Sequence, residues 1–173
     1  MTAPAGPKTN EDMVRETWAY LKKNTNIVTD VGVPFYEALF VLDPTLKETM
    51  FKDANMKSQG QVLTNTLTLC IDNLDQPTFV MTLLIGMGER HAGYGVVPKH
   101  FDFAGQALLQ ILKGGLGEQY TPEVEAAWLA VFTVIVHSMC LGMETPKGKD
   151  NRARFASVWG SRAVNGCPYA PAN

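Results

Sequence analysis

The 173-residue chain predicts an all-α fold, and three observations lead there. Apolar residues recur at three- and four-residue intervals through most of the length, which puts them on one face of a helix. Runs alternating between apolar and polar, the mark of a half-buried strand, are scarce. Asp43-Pro44, Gln76-Pro77, Val97-Pro98 and Thr121-Pro122 cut the pattern into helix-sized pieces.

Composition bounds the function before any motif does. At 46% hydrophobic the chain can bury the core of one domain. A net charge of −2 gives no electrostatic case for nucleic acid or an anionic membrane. Cys70, Cys140 and Cys167 are an odd, widely separated set. They form neither a disulfide framework nor a CxxC metal site and suit a reducing compartment, so a cytoplasmic location is expected. The opening Met1 to Lys8 lacks the apolar core of a signal peptide.

The elements follow in order. Thr9 caps a first helix, with Asp12 three residues on as in a capping box, and Val14, Trp18 and Leu21 form its inward stripe. A second helix runs from about Thr25 to Leu42. Pro34 lies inside it, removing an amide donor and kinking or crowding the helix just before Phe35 and Tyr36. Asp43-Pro44 opens a short helix ending near Phe51, and Lys52 to Lys57 reads as loop. From Ser58, apolar residues at Leu63, Leu67, Cys70, Ile71 and Leu74 mark a helical face, and Gln59 shares it one turn ahead of Leu63. The next helix carries Val80, Leu84, Met87 and His91 on one stripe and is stopped by Gly93, Gly95 and Pro98. Pro98 begins a helix with Phe101, Ala104, Leu108, Ile111 and Leu112 inward, ended by Gly114, Gly115 and Gly117. Thr121-Pro122 caps a long helix whose stretch Ala126 to Met143 is nearly all apolar. A membrane span would fit that length, but His137 inside it and Glu123 and Glu125 before it favour a buried core helix.

The chain therefore divides into a flexible segment 1–8, a helical domain 9–146 closed by Pro146, and a basic tail 147–173. The tail carries five Lys/Arg against one Asp, and Phe155, Val158 and Trp159 have the spacing of a short surface helix that docks on the domain or on a partner. Residues 166–171 read as frayed.

Three polar side chains interrupt apolar stripes: Tyr36, Gln59 and His91. Each alone is ordinary, since a buried imidazole, phenol or carboxamide commonly bonds a backbone carbonyl. A neutral imidazole at the end of an apolar face also suits a metal held in an apolar pocket. Together the three point to one polar spot inside a hydrophobic cavity.

The order and spacing of the motifs resemble the globin family, nearest to single-domain bacterial-type globins, flavohaemoglobin globin domains and neuroglobin-like proteins. The resemblance rests on Val33-Pro34-Phe35-Tyr36-Glu37, on Asp43-Pro44-Thr45-Leu46-Lys47 leading to Phe51, and on Gln59-Gly60-Gln61-Val62-Leu63. It continues through Glu89-Arg90-His91-Ala92-Gly93-Tyr94-Gly95-Val96, Pro98-Lys99-His100-Phe101 and Tyr120-Thr121-Pro122-Glu123-Val124. It spans about Glu11 to Met143 and leaves both ends outside.

The resemblance implies the globin fold, a 3-over-3 helical sandwich around a haem pocket, with haem b as cofactor. His91 would be the proximal iron ligand. Phe51, Leu63, Leu84, Val97 and Phe101 would touch the cofactor. Tyr36, Gln59 and Leu63 would form the distal, gas-binding side. His100 and His137 match no ligand position and read as a surface and a helix-packing residue. Neuroglobin-like proteins have a distal histidine where this chain has Gln59, so a vacant distal site is implied. Flavohaemoglobin globin domains place a tyrosine and a glutamate behind the axial histidine. Here Phe101 stands at the tyrosine position, and Glu144 lies near the glutamate position but out of register.

Reversible binding of dioxygen, NO and CO is the function implied. NO dioxygenase chemistry is the enzymatic alternative, and it requires a separate reductase because the chain has no flavin or nicotinamide domain. A redox or gas sensor using the basic tail, and a cofactor-free helical bundle, complete the set.

Overall fold

The computed structural model describes residues 8–159. Segment 1–7, part of the segment read above as flexible, segment 160–173, which holds the end of the basic tail and the residues read as frayed, and the side chains of Val158 and Trp159 lie outside the described residues. Among the described residues every regular element is helical: α1 (Asn10–Asn24), α2 (Val33–Leu42), α3 (Thr45–Glu48), α4 (Met56–Asp72), α5 (Pro77–Ala92), α6 (Pro98–Leu116), α7 (Pro122–Glu144) and α8 (Pro146–Trp159).

Local chemistry sets the boundaries. Thr9 and Asp12 form the capping box at the start of α1. Asn55 caps α4 by accepting from the Ser58 amide, so this helix begins two residues before the expected Ser58. Thr121 caps α7 through the Val124 amide. Gly114 and Gly115 continue α6, and the break falls at Gly117, whose φ of 55° suits a residue without Cβ. The helix expected from Thr25 to Leu42 is two pieces. A wider π-helical turn, Val28–Gly32, winds directly into α2, and Pro34 sits in the first turn of α2, just after the Val33 amide bonds the Val28 carbonyl. The strain expected inside one helix is thus absorbed by a change of winding before the proline.

Glycines set how closely helices cross. Gly32 lies against the backbone of Gly60, joining the π turn to α4. A Cβ at Gly88 would sit on the Met139 carbonyl, and one at Gly142 on the Ile85 carbonyl, so α5 and α7 meet backbone to backbone. The core forms two clusters. One gathers Trp18, Leu21, Phe35, Leu67, Leu112 and Trp128, with the two indoles edge to face at 5.9 Å. The other gathers Val80, Leu84, Phe101, Val136, Met139 and Met143. Met50, Phe132 and Ile135 touch both.

This division follows from the packing. α4 rests on the π turn, α2 and α1, whereas α5 rests on α7 and α8. Although consecutive in the chain, α4 and α5 hardly touch. α7, whose most apolar 18-residue stretch has a mean hydropathy of 1.8, is the one described helix long and apolar enough to cross a membrane, and half of that stretch is buried inside the fold. Its outer face leaves Leu129 and Val134 exposed.

Three expectations require correction. His137, read as packed between helices, is exposed, and His100, read as a surface residue, is part-buried. The His100 Nδ1 accepts from the Val97 amide at the start of α6, and its Nε2 lies 3.9 Å from Asp43 Oδ2. Cys140 is disulfide-bonded, whereas Cys70 is a free, buried thiol. Separation along the sequence does not prevent pairing once folding brings two chain segments together, so the cysteines give no argument for a reducing compartment.

Candidate functional site

His91 is positioned by the end of α5. Two rows of side chains, each spaced by four residues, run along this helix. Val80, Leu84, Gly88 and Ala92 are all buried, and Leu84 and its neighbours face the α7 cluster. Leu83, Met87 and His91 form the adjoining row and are only part-buried, although two of the three are apolar. The His91 Nδ1–H donates to the Met87 carbonyl at 2.9 Å. A carbonyl can only accept, which fixes the proton on Nδ1 and leaves the Nε2 lone pair free. Desolvation, the largest influence, holds the imidazole pKa below its ordinary value, outweighing the hydrogen bond to Met87; neighbouring Arg90 acts in the same downward direction. A neutral ring with a free nitrogen is the form that ligates a metal. Among the described residues no cluster of three His, Cys, Asp or Glu could hold a metal ion by itself.

Beyond His91 the chain turns sharply. Its carbonyl accepts from the amides of Tyr94 (3.0 Å) and Val96 (3.3 Å), Gly95 adopts φ 75°, and the Tyr94 ring meets the imidazole edge to face at 5.7 Å. Val97 then precedes α6, part-buried, and Phe101 in the first turn of α6 is buried in the α7 cluster.

The other candidates stand on α2, α4 and the segment between them. Tyr36 is 9% exposed and packs among Phe35, Phe40 and Phe51, with ring centroids at 5.2, 6.3 and 5.2 Å. Its phenol makes no hydrogen bond with any described residue. Burial pushes its pKa up to about 12, so it remains a protonated donor without a protein acceptor. Gln59 lies in the first turn of α4, part-buried, with Leu63 one turn on. The carboxamide of Gln59 likewise bonds no described residue.

Tyr36 and Phe51 are thus brought into contact, while Leu84 and Phe101 belong with α7. His91 stands on a helix that makes few contacts with α2 or α4, although Cys70 of α4 joins the cluster of Val80 and Leu84. Glu144 does not serve His91: its carboxylate accepts from Arg152 at 3.1 Å. The sequence places Met87 on the His91 stripe, but together with Val80 and Leu84, which belong to the adjoining buried row; Leu83, eight residues before His91, was missed because that row is also apolar.

The donor set fits a haem group. One neutral imidazole offers a single strong nitrogen, part-buried apolar side chains flank it, and an unpartnered phenol and carboxamide stand on helices held apart from it.

Comparison with known proteins decides the family, because the globin family model matches residues 34–139, more than half of the chain. The chain is a globin. The stretch matched contains every candidate side chain on both sides of the site. This globin is 28% identical over 145 residues to the neuroglobin of Tetraodon nigroviridis, across 77% of the chain and 89% of that protein. It is 27% identical over 135 residues to the flavohemoprotein of Bacillus subtilis (strain 168), across 77% of the chain but only 33% of that longer protein. In fold it is similar to a hexacoordinated heme protein from an anhydrobiotic tardigrade, solved at pH 4. There the TM-score is 0.67 at 16% identity, covering 82% of this globin and 98% of that chain.

Proposed function

We propose that this globin binds haem b through His91 and uses it to capture dioxygen, NO and CO reversibly. When bound, the iron supplies an open coordination position for a diatomic gas. The remaining work falls to the chain. His91 presents Nε2, and the bond from its Nδ1–H to Met87 holds the ring in one tautomer and orientation. Phe51, Leu63, Leu84, Val97 and Phe101 provide apolar contacts that keep water away. The Tyr36 phenol and the Gln59 carboxamide supply donor hydrogens to a small guest carrying partial negative charge, which favours dioxygen over the less polar carbon monoxide. Gln59 stands where the resemblance to neuroglobin-like proteins places a histidine, so no second imidazole from that position would compete with a gas for the iron.

The observation that carries this proposal is the His91 geometry: a neutral imidazole whose Nδ1 is occupied and whose Nε2 is free. The absorption spectrum of the reduced protein, before and after adding CO, tests it. A haem spectrum that shifts with CO is expected, together with loss of haem retention in His91→Ala. A folded, colourless protein that takes up no added haemin overturns the proposal.

Likeness to the Bacillus subtilis flavohemoprotein favours a second reading, NO dioxygenase with a separate reductase. Phe101 cannot hydrogen-bond and Glu144 is paired with Arg152, so neither supplies the push on the axial histidine that such chemistry uses. Sustained NO consumption over many turnovers with a reductase supplied would favour the enzyme. Consumption that stops after one turnover leaves the binding protein.

A further inference from the structure

α8 follows α7 after a single intervening residue, Thr145, and folds back along α5 and α7. It lies outside the stretch matched by the family model. Its contacts concentrate on the last turn of α5. Lys147 Nζ reaches Glu89 Oε2 at 2.9 Å, and the Thr145 hydroxyl donates to Glu89 Oε1 at 3.0 Å. The Asn151 carboxamide donates to the Glu89 main-chain carbonyl at 2.8 Å.

That last bond has a particular role. The final carbonyls of a helix lack partners of their own, and those of Arg90, His91 and Ala92 are taken by the amides of Gly93, Tyr94, Gly95 and Val96. Glu89 precedes that set, and Asn151 occupies its carbonyl from another helix. Four residues along α8, the Phe155 ring lies on Gly95, whose φ of 75° shapes the turn; a Cβ there would collide with the ring. Asn151 Cβ approaches Gly93 less closely, 3.3 Å from where a Cβ there would sit. One face of α8 therefore lies along the turn at Gly93 and Gly95, two of whose amide bonds, from Tyr94 and Val96, end on the His91 carbonyl.

We infer that α8 is a proximal clamp, in which Asn151 and Phe155 are positioning residues that hold the turn after His91 and so set the aim of its imidazole. The inference rests on the proposal that His91 ligates iron. The clamp makes the strength of the iron–imidazole bond depend on a helix appended beyond the matched globin stretch.

The test compares full-length wild type, Asn151→Ala, Phe155→Ala and Arg154→Ala, the last an exposed residue of the same helix. In the ferrous protein, the iron–histidine stretching band in resonance Raman spectra should shift or broaden in Asn151→Ala and Phe155→Ala, and haem dissociation should accelerate at least fivefold. In the haem-free protein, amide hydrogen exchange at Tyr94, Gly95 and Val96 should quicken at least tenfold, with α1 and α4 unaffected. Arg154→Ala should match wild type in all three. Phe155→Tyr, which keeps the ring, should restore the wild-type band. Should Phe155→Ala fail to fold, Asn151→Ala decides alone. Unchanged band and exchange rates in a folded Asn151→Ala, or an equal change in Arg154→Ala, overturn the clamp. If wild type binds no haem, or keeps it after His91→Ala, the underlying ligand assignment has failed instead.

Discussion

At Tyr36, burial and the lack of an acceptor act on the same phenol. A donor hydrogen bond to a partly charged guest is worth about 1.5–3 kcal/mol. Tyr36→Phe should therefore speed dioxygen release by roughly 10- to 150-fold, measured by stopped-flow displacement with CO. An unchanged rate transfers the role to Gln59. The same substitution has a signature at alkaline pH. In the unfolded chain the phenol ionises near pH 10, whereas the folded protein keeps its proton until about 12. Across that window only the unfolded state releases the proton, so rising pH favours unfolding and stability is lost. Chemical denaturation between pH 9 and 12 should show a gentler decline for Tyr36→Phe than for wild type. Single residues were unevenly legible in the sequence. Tyr36, Gln59 and His91 stood out because a polar group broke an apolar stripe. His100 and His137 exchanged their expected environments, since a lone histidine at a helix start or on a partly exposed apolar helix gives no sign of which neighbour it meets.

Helix boundaries were the most legible features, because caps act through residues three apart: Thr9 with Asp12, and Thr121 with Val124. Around Val28–Gly32 the sequence showed only a disturbance at Pro34; that the wider turn would bring Gly32 against Gly60 was not legible, because Gly60 lies far along the chain. The same non-local logic governs α5 on α7. Gly88→Ala should destabilise the protein by about 1–3 kcal/mol or more, since the obstructing atoms are main chain and cannot rotate away. Thermal unfolding would measure it, and a loss under 0.5 kcal/mol would contradict the backbone contact. At the start of α3, the Thr45 hydroxyl donates to Asp43 at 2.6 Å and the Thr45 amide at 3.1 Å. These bonds, hydroxyl first, with His100 and Lys99 nearby, hold the Asp43 carboxyl below the ordinary carboxylate value, despite the opposing effect of partial burial. Its contribution is present above about pH 4 and fades as pH falls through the lower folded value, because there the unfolded state binds the proton more readily. Asp43→Asn should flatten the acid limb of the stability–pH curve and leave the neutral plateau lower.

For the molecule as a whole, two apolar clusters share few bridging residues, and the helices carrying the site's two halves hardly touch. A ligand bound only by the folded state stabilises it by about 2.7 kcal/mol at a hundredfold excess over Kd. Haemin should raise the melting temperature. Equal melting temperatures with and without haemin would mean that the site adds nothing to the fold. The all-α class was readable from periodicity, and the resemblance came from motif order. The fate of Cys140 and the return of α8 onto α5 were not, since both depend on where distant segments come to rest.

The Gly32–Gly60 crossing has one more consequence. Tyr36 lies one helical turn after the first glycine, and Gln59 immediately precedes the second. A methyl added at Gly32 would fall 2.6 Å from the Gly60 carbonyl oxygen, wedge the two backbones apart and carry both hydrogen donors with it. Selection acting there would retune gas preference and residence time jointly, so separate adjustment has to come from exchanging the side chains themselves.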